Sequence, residues 1–126
     1  MLLKNQKGEY LLLRRSLEKY PEVNGRWDIV GGRINPGTAL LENLKREVEE
    51  ETGLELKECE LVAAQDILKN DRHVVRLTYV GQAFGTVRLD TSENDMYQWL
   101  TKDELVKIDD LDNYFKSLIN ENKIKI

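Results

Sequence analysis

An α/β (α+β) fold, with a β-sheet covered by a helix on each side, is what these 126 residues predict. Three observations carry the prediction. A helix-period segment follows the turn at Pro36-Gly37, a second one closes the chain between Leu111 and Ile119, and runs with strand character lie before and between them.

Leu2 to Lys4 and Glu9 to Arg14 read as strands joined through the hairpin-like turn Asn5-Gln6-Lys7-Gly8. Gly25 opens a short strand through Trp27 and Ile29. Thr38 as N-cap and Gly53 as C′ glycine then bracket a helix of about four turns. Leu40, Leu41, Leu44 and Val48 recur at helical spacing as its buried stripe. Leu56 to Leu68 is mostly extended, and Asn70-Asp71 turns the chain into His73 to Phe84, where Val75, Leu77 and Tyr79 alternate with Arg76 and Thr78. Further strands are predicted around Thr86 to Leu89 and at Tyr97 to Leu100. Leu111, Tyr114, Phe115, Leu118 and Ile119 form the apolar stripe of the last helix, with Asp109 or Asp110 as its cap. That stripe reads as core, and the tail from Glu121 to Ile126 is free to fray or to join an interface.

Composition narrows the function. Residues 1–126 make one domain with room for a real core but not for a second one. A net charge of −4 and a pI near 5.1 argue against broad binding to a polymeric nucleic acid. One cysteine, Cys59, excludes an internal disulfide, suits a reducing compartment and reads as filler. No stretch approaches the roughly 20 apolar residues of a membrane span, and Met1-Leu2-Leu3-Lys4 is too short for a signal peptide, so a cytoplasmic location with no membrane partner is expected.

The first helix carries a chemical signal. Glu47, Glu50 and Glu51 fall on one arc bordering its apolar stripe, while Glu49 points to solvent. Like charges at i,i+3 and i,i+4 oppose the helix by a few tenths of a kcal/mol each, and acids in the last turn oppose its dipole by ~0.3–1 kcal/mol more. A cation would offset this, and oxygen-only donors select a hard ion such as Mg²⁺ or Mn²⁺. The plain alternative is a solvated acidic face.

A resemblance bears on the choice between the two. Gly32, Thr38, Arg46-Glu47-Val48, Glu50-Glu51 and Gly53-Leu54 resemble the Nudix box, G-x5-E-x7-R-E-U-x-E-E-x-G-U with U a bulky aliphatic, and eight of its nine specified positions match. The preceding Trp27-Asp28-Ile29-Val30-Gly31-Gly32 is similar to the W-x-h-P-G-G that leads into the box, with Val30 in place of proline. The resemblance implies an α/β/α sandwich with a mixed sheet between the box helix and the C-terminal helix. It also implies a longer first strand than Leu2 to Lys4 supplies, so the start looks short or truncated. Thr38 stands where the box has its first glutamate, which in the family supports the arginine; Glu42, one turn before Arg46, is the expected replacement, worth ~0.2–0.5 kcal/mol if exposed.

Carried over residue by residue, the resemblance implies Glu50 and Glu51 as Mg²⁺ ligands, with Mn²⁺ able to substitute, and Glu47 as a ligand or the general base. Gly31 would offer its carbonyl to the metal, and Arg46 would orient the glutamates. The implied reaction is attack of water on a diphosphate joining a nucleoside to a second moiety, which asks a protein for positioning and charge neutralisation and for no covalent nucleophile.

Outside the box, Glu93 and Asp95 resemble the acidic loop that supplies an extra carboxylate in many relatives, with an acidic turn as the plain alternative. Arg15, by strand alternation, and Arg33, on the glycine loop, are candidates to meet phosphate. Trp27 is a candidate surface for base stacking or a core tryptophan, and His73, in phase with Val75 and Leu77, reads as a packed structural histidine. The family positions past the box where a proline goes with ADP-ribose or a tyrosine with dinucleoside polyphosphates hold Lys69 and Asn70 here. That favours a small nucleotide substrate, a (d)NTP cleaved to a nucleoside monophosphate and pyrophosphate. ADP-ribose or a nucleotide sugar is the alternative substrate, a non-catalytic nucleotide-binding module is the alternative class, and a homodimer is compatible with the resemblance.

Overall fold

A computed structural model describes residues 1–22 and 24–124. Nine elements follow in chain order: β1 (Leu2–Lys4), β2 (Tyr10–Arg15), β3 (Trp27–Asp28), α1 (Leu40–Thr52), β4 (Glu55–Leu68), β5 (His73–Phe84), β6 (Asn94–Leu100), α2 (Lys102–Leu105) and α3 (Asn113–Asn120). The sheet is mixed. β1 lies parallel to β5, pairing Leu2 with Val80 and Lys4 with Gln82, while its other pairings are antiparallel. β2 gives one edge to β6 along its length and the other to β1 and then β3; β4 closes the far side through its long hairpin with β5.

Strand alternation divides β2 between two cores. Leu11 and Leu13 enter one with Leu3, Val48 and Leu54; Tyr10 and Leu12 enter the other with Leu105, Phe115 and Leu118. Each face thus buries one helical layer, the three-layer sandwich the sequence implies.

α1 ends at Gly53, whose φ of 70° is the left-handed geometry a C-cap glycine adopts without penalty. Its start differs from expectation. Thr38 is drawn into the preceding turn by a bond from its N–H to the Asn35 carbonyl, and Ala39 caps the helix with no side-chain bond. Its buried face is Asn43, Val48 and Thr52 with Leu44 alongside; Leu41 is half exposed, and Leu40 lines a cleft.

Residues 86–89 are not a strand. Arg88 and Asp90 donate their N–H groups to the carbonyls of Thr52 and Glu51, so the segment caps the end of α1 while Val87 and Leu89 pack on the first core. α2 was not expected, although Thr101-Lys102-Asp103-Glu104 forms a full capping box. α3 is capped by Asp112, whose side chain accepts from Phe115 N–H at 3.0 Å, not by Asp109 or Asp110. Leu111 precedes the helix but is buried beside it. In the tail Ile124 is buried in the second core, and residues 125–126 lie outside the described ones. No helix among the described residues is long and apolar enough to cross a membrane.

Candidate active site

A cleft of about 870 Å³ opens between the glycine loop after β3, α1, the first half of β5 and the loop before β6. Gly31, Gly32, Arg33, Glu47, Glu50 and Glu51 all line it, so the turns that shape this loop and helix bring the box residues to one place.

Glu51 reaches the loop directly, its Oε2 accepting from Gly31 N–H at 3.2 Å. Burial, and then the charge of Glu47 one turn away, push its carboxyl up to about 7, against the pull of the Gly31 bond. Glu47 rests against Gly32 so closely that a Cβ there would fall 2.5 Å from its carboxylate carbon. Only glycine leaves this space.

Arg46 organises the acids. Its Nη2 donates to Glu47 Oε1 at 3.1 Å and to Asn43 Oδ1 at 2.9 Å, and its Nη1 donates to Glu50 Oε2 at 3.0 Å. The support expected from Glu42 comes instead from Asn43, a buried side chain that also donates to the Arg33 carbonyl and accepts from Asn35 N–H. Asn43, three residues before Arg46, binds loop and arginine together. Glutamate at position 38 is not needed for that.

The three carboxylates do not converge on one point as expected. Glu50 is over half exposed and turned toward Arg46, and among the described residues no three acidic, histidine or cysteine side chains are grouped to hold a metal ion. The donors nevertheless suit a hard divalent cation. They are oxygens only, and two acids share a cradle walled by glycine, one of them buried at a cost that positive charge would relieve.

Elsewhere in the cleft Asp28 is buried under two guanidinium groups, accepting from Arg15 Nη2 at 3.1 Å and Arg76 Nη2 at 3.3 Å. Burial raises its carboxyl above the usual range despite Arg76. Arg76 also reaches Asp112 at 3.1 Å, tying β5 to the start of α3. Arg15 is thereby held on the cleft wall, and Arg33 is exposed at the same cleft. Glu93 lines it too, bound by Lys19 and Tyr20, whose hydrogen bonds keep its carboxyl below the ordinary value.

Several candidates stand apart. Asp95 pairs with Arg14 at 2.6 Å and Arg26 at 3.3 Å, an external clasp between β6 and the β2–β3 region. Trp27 does not line the cleft; it packs against the second core with the Arg14 guanidinium 5.9 Å from its ring. His73 is exposed at the hairpin end and bonded to Asp66 at 2.7 Å, because β5 extends past the body of the sheet there and nothing covers it. Cys59 packs beside the first core. Sequence reasoning missed Asp28, Arg76, Asn43 and Tyr20. Asp28 had a signal, an acid inside the glycine lead-in, and Arg76 another, a cation on a strand that enters the core.

The NUDIX domain family model matches residues 1–120. A MutT-like protein of Streptomyces ambofaciens is 32% identical over 78% of this chain and 58% of its own length. The 8-oxo-dGDP phosphatase NUDT18 of Mus musculus is 31% identical over 71% of this chain and 26% of its own. The chain therefore spans between about a quarter and three fifths of the length of these relatives. Among solved structures, the MutT protein from Methanosarcina mazei Go1 matches with a TM-score of 0.73 and 29% identity, covering 98% of this chain and 91% of that one. The MutT NUDIX hydrolase from Burkholderia pseudomallei, at 22% identity over 98% and 96% of the two chains, shares the fold with a TM-score of 0.75.

Proposed function

This chain belongs to the Nudix family, and on that premise we propose that its cleft hydrolyses a nucleoside diphosphate derivative, with a (d)NTP cleaved to the nucleoside monophosphate and pyrophosphate as the favoured reaction. The observation that carries the reading is that one cleft gathers Glu47, Glu50 and Glu51 of α1, the glycine loop and three arginines, Arg15, Arg33 and Arg76. The relatives named for 8-oxo-dGDP favour a second reading, a nucleoside diphosphate cleaved to monophosphate and phosphate.

Glu47, Glu51 and the Gly31 carbonyl would hold a Mg²⁺ ion, with Glu50 joining them once it leaves Arg46. The ion, when bound, supplies charge neutralisation to the phosphate oxygens. The remaining work belongs to the chain. Arg46 orients Glu47 and holds Glu50 until the ion is bound, Arg15 meets a phosphate from the wall where Asp28 holds it, and Arg33 meets another at the loop. Glu93 offers an acceptor to the attacking water.

The test is turnover of a panel of dNTPs, dNDPs with and without 8-oxo-guanine, ADP-ribose, NADH and diadenosine polyphosphates with Mg²⁺ or Mn²⁺. Product that disappears in Glu51→Gln and in Glu50→Gln supports the reading. Tight nucleotide binding without any metal-dependent product would replace it by a binding module.

A further inference from the structure

Glu93 is held more firmly than an acid in a surface turn requires. One carboxylate oxygen accepts from the Tyr20 hydroxyl at 2.8 Å and the other from the Lys19 ammonium. Its carbonyl accepts from Ser16 N–H at 3.0 Å, and its own N–H donates to the Asp90 carbonyl at 3.1 Å. The two side-chain partners lie 73 and 74 residues away in sequence, on the loop between β2 and β3, so the grip joins two distant loops. Tyr20 is itself placed, by an N–H bond to the Ser16 carbonyl at 2.9 Å and by the Arg15 guanidinium 5.9 Å from its ring centre. Both Tyr20 and Glu93 line the cleft that holds Glu47 and Glu51. Asp90, in the same loop, has no such role, since its carboxylate is turned back on Ser92.

We propose that Tyr20 and Lys19 are positioning residues, which fix the Glu93 carboxylate on the cleft wall so that it accepts a hydrogen bond from the attacking water. Each bound oxygen keeps a second lone pair, and the side chain is a third exposed, so the water has access. Held this way, Glu93 pays its ordering entropy on folding rather than during reaction. The proposal rests on the cleft being a hydrolytic centre, and it adds a claim that centre does not require.

The test compares Tyr20→Phe, Lys19→Met, Glu93→Gln and the pair Tyr20→Phe/Glu93→Gln on whichever nucleotide the wild type cleaves. Tyr20→Phe should lower kcat by about 10-fold with KM changed less than about twofold, the pattern of a lost transition-state contact. Lys19→Met should act in the same direction, and Tyr20→Phe should cost nothing further once Glu93 is glutamine. In metal-free protein labelled with ¹³C-glutamate, the Glu93 carboxyl should titrate below the ordinary range, and closer to it in Tyr20→Phe. Unchanged kcat in Tyr20→Phe, a full additional loss in the double variant, or an unmoved Glu93 titration overturns the proposal while wild-type turnover keeps the hydrolase reading intact. If the wild type cleaves nothing in the panel, the hydrolase reading falls and takes this one with it.

Discussion

Glu51→Gln should stabilise the metal-free protein in alkaline buffer while removing its response to metal. The carboxyl is raised from an ordinary 4.5 to about 7 by burial and by Glu47. At ~1.36 kcal/mol per pH unit this is an upper bound of about 3 kcal/mol, and solvent reaching the partly exposed group reduces it to roughly 1–2 kcal/mol. Because the folded state holds this proton more tightly than the unfolded chain, no penalty exists below pH 4.5. It grows as the pH rises from 4.5 to 7 and is complete above 7. Glutamine keeps an acceptor for Gly31 N–H and carries no charge. In EDTA the variant should therefore melt roughly 3–8 °C above wild type at pH 8 and within about 1 °C of it at pH 4.5. Adding Mg²⁺ at pH 8 should raise the wild-type melting temperature and leave the variant unmoved, since binding to the folded state alone is what stabilises. Calorimetry at both pH values gives the comparison. A variant that melts below wild type at pH 8 in EDTA would show that Glu51 carries no buried-charge penalty, and the argument for a cation there would fail.

Three other outcomes follow from the geometry. Gly32→Ala puts a Cβ where the Glu47 carboxylate lies; the flexible side chain can yield, so urea stability should stay within about 0.5 kcal/mol while metal-induced stabilisation and turnover are lost. Val48→Ala, in a fully buried position of α1, should cost about 2–3 kcal/mol in urea titration with the denaturant slope unchanged. Asp28→Asn deprives Arg15 of its anchoring carboxylate while Arg76 keeps Asp112, so its KM should rise; an unchanged KM would contradict the role given to the ion cluster.

Period and punctuation were legible where backbone and burial agree. The limits of β5 and the glycine that ends α1 follow from alternation and left-handed geometry, which local sequence encodes. The errors lie where a distant partner decides. Val87 and Leu89 alternate like a strand, but the backbone bonds of Arg88 and Asp90 go to the end of α1. His73 shares parity with core residues, yet parity cannot say that β5 outruns the sheet. Leu40 and Leu41 have the helical period but sit on a turn facing the cleft and solvent instead of the core. In the site, residue identity and spacing brought the box acids to one cleft, while the partners of Arg46, Arg15 and Glu93 became visible only once the chain was folded.

β3 is only two residues long, and the glycine loop hangs from its end. One side of it is paired to β2; on the other, Trp27 exchanges backbone bonds with Asp110 and Asp112, just ahead of α3. Arg76 adds a side-chain strut from Asp112 to Asp28. The last quarter of the chain thus serves as a splint for a loop with which it shares no chemistry. Damage to α3 should reach the reaction mechanically, as lost alignment of Gly31 and Gly32, before it is felt as unfolding.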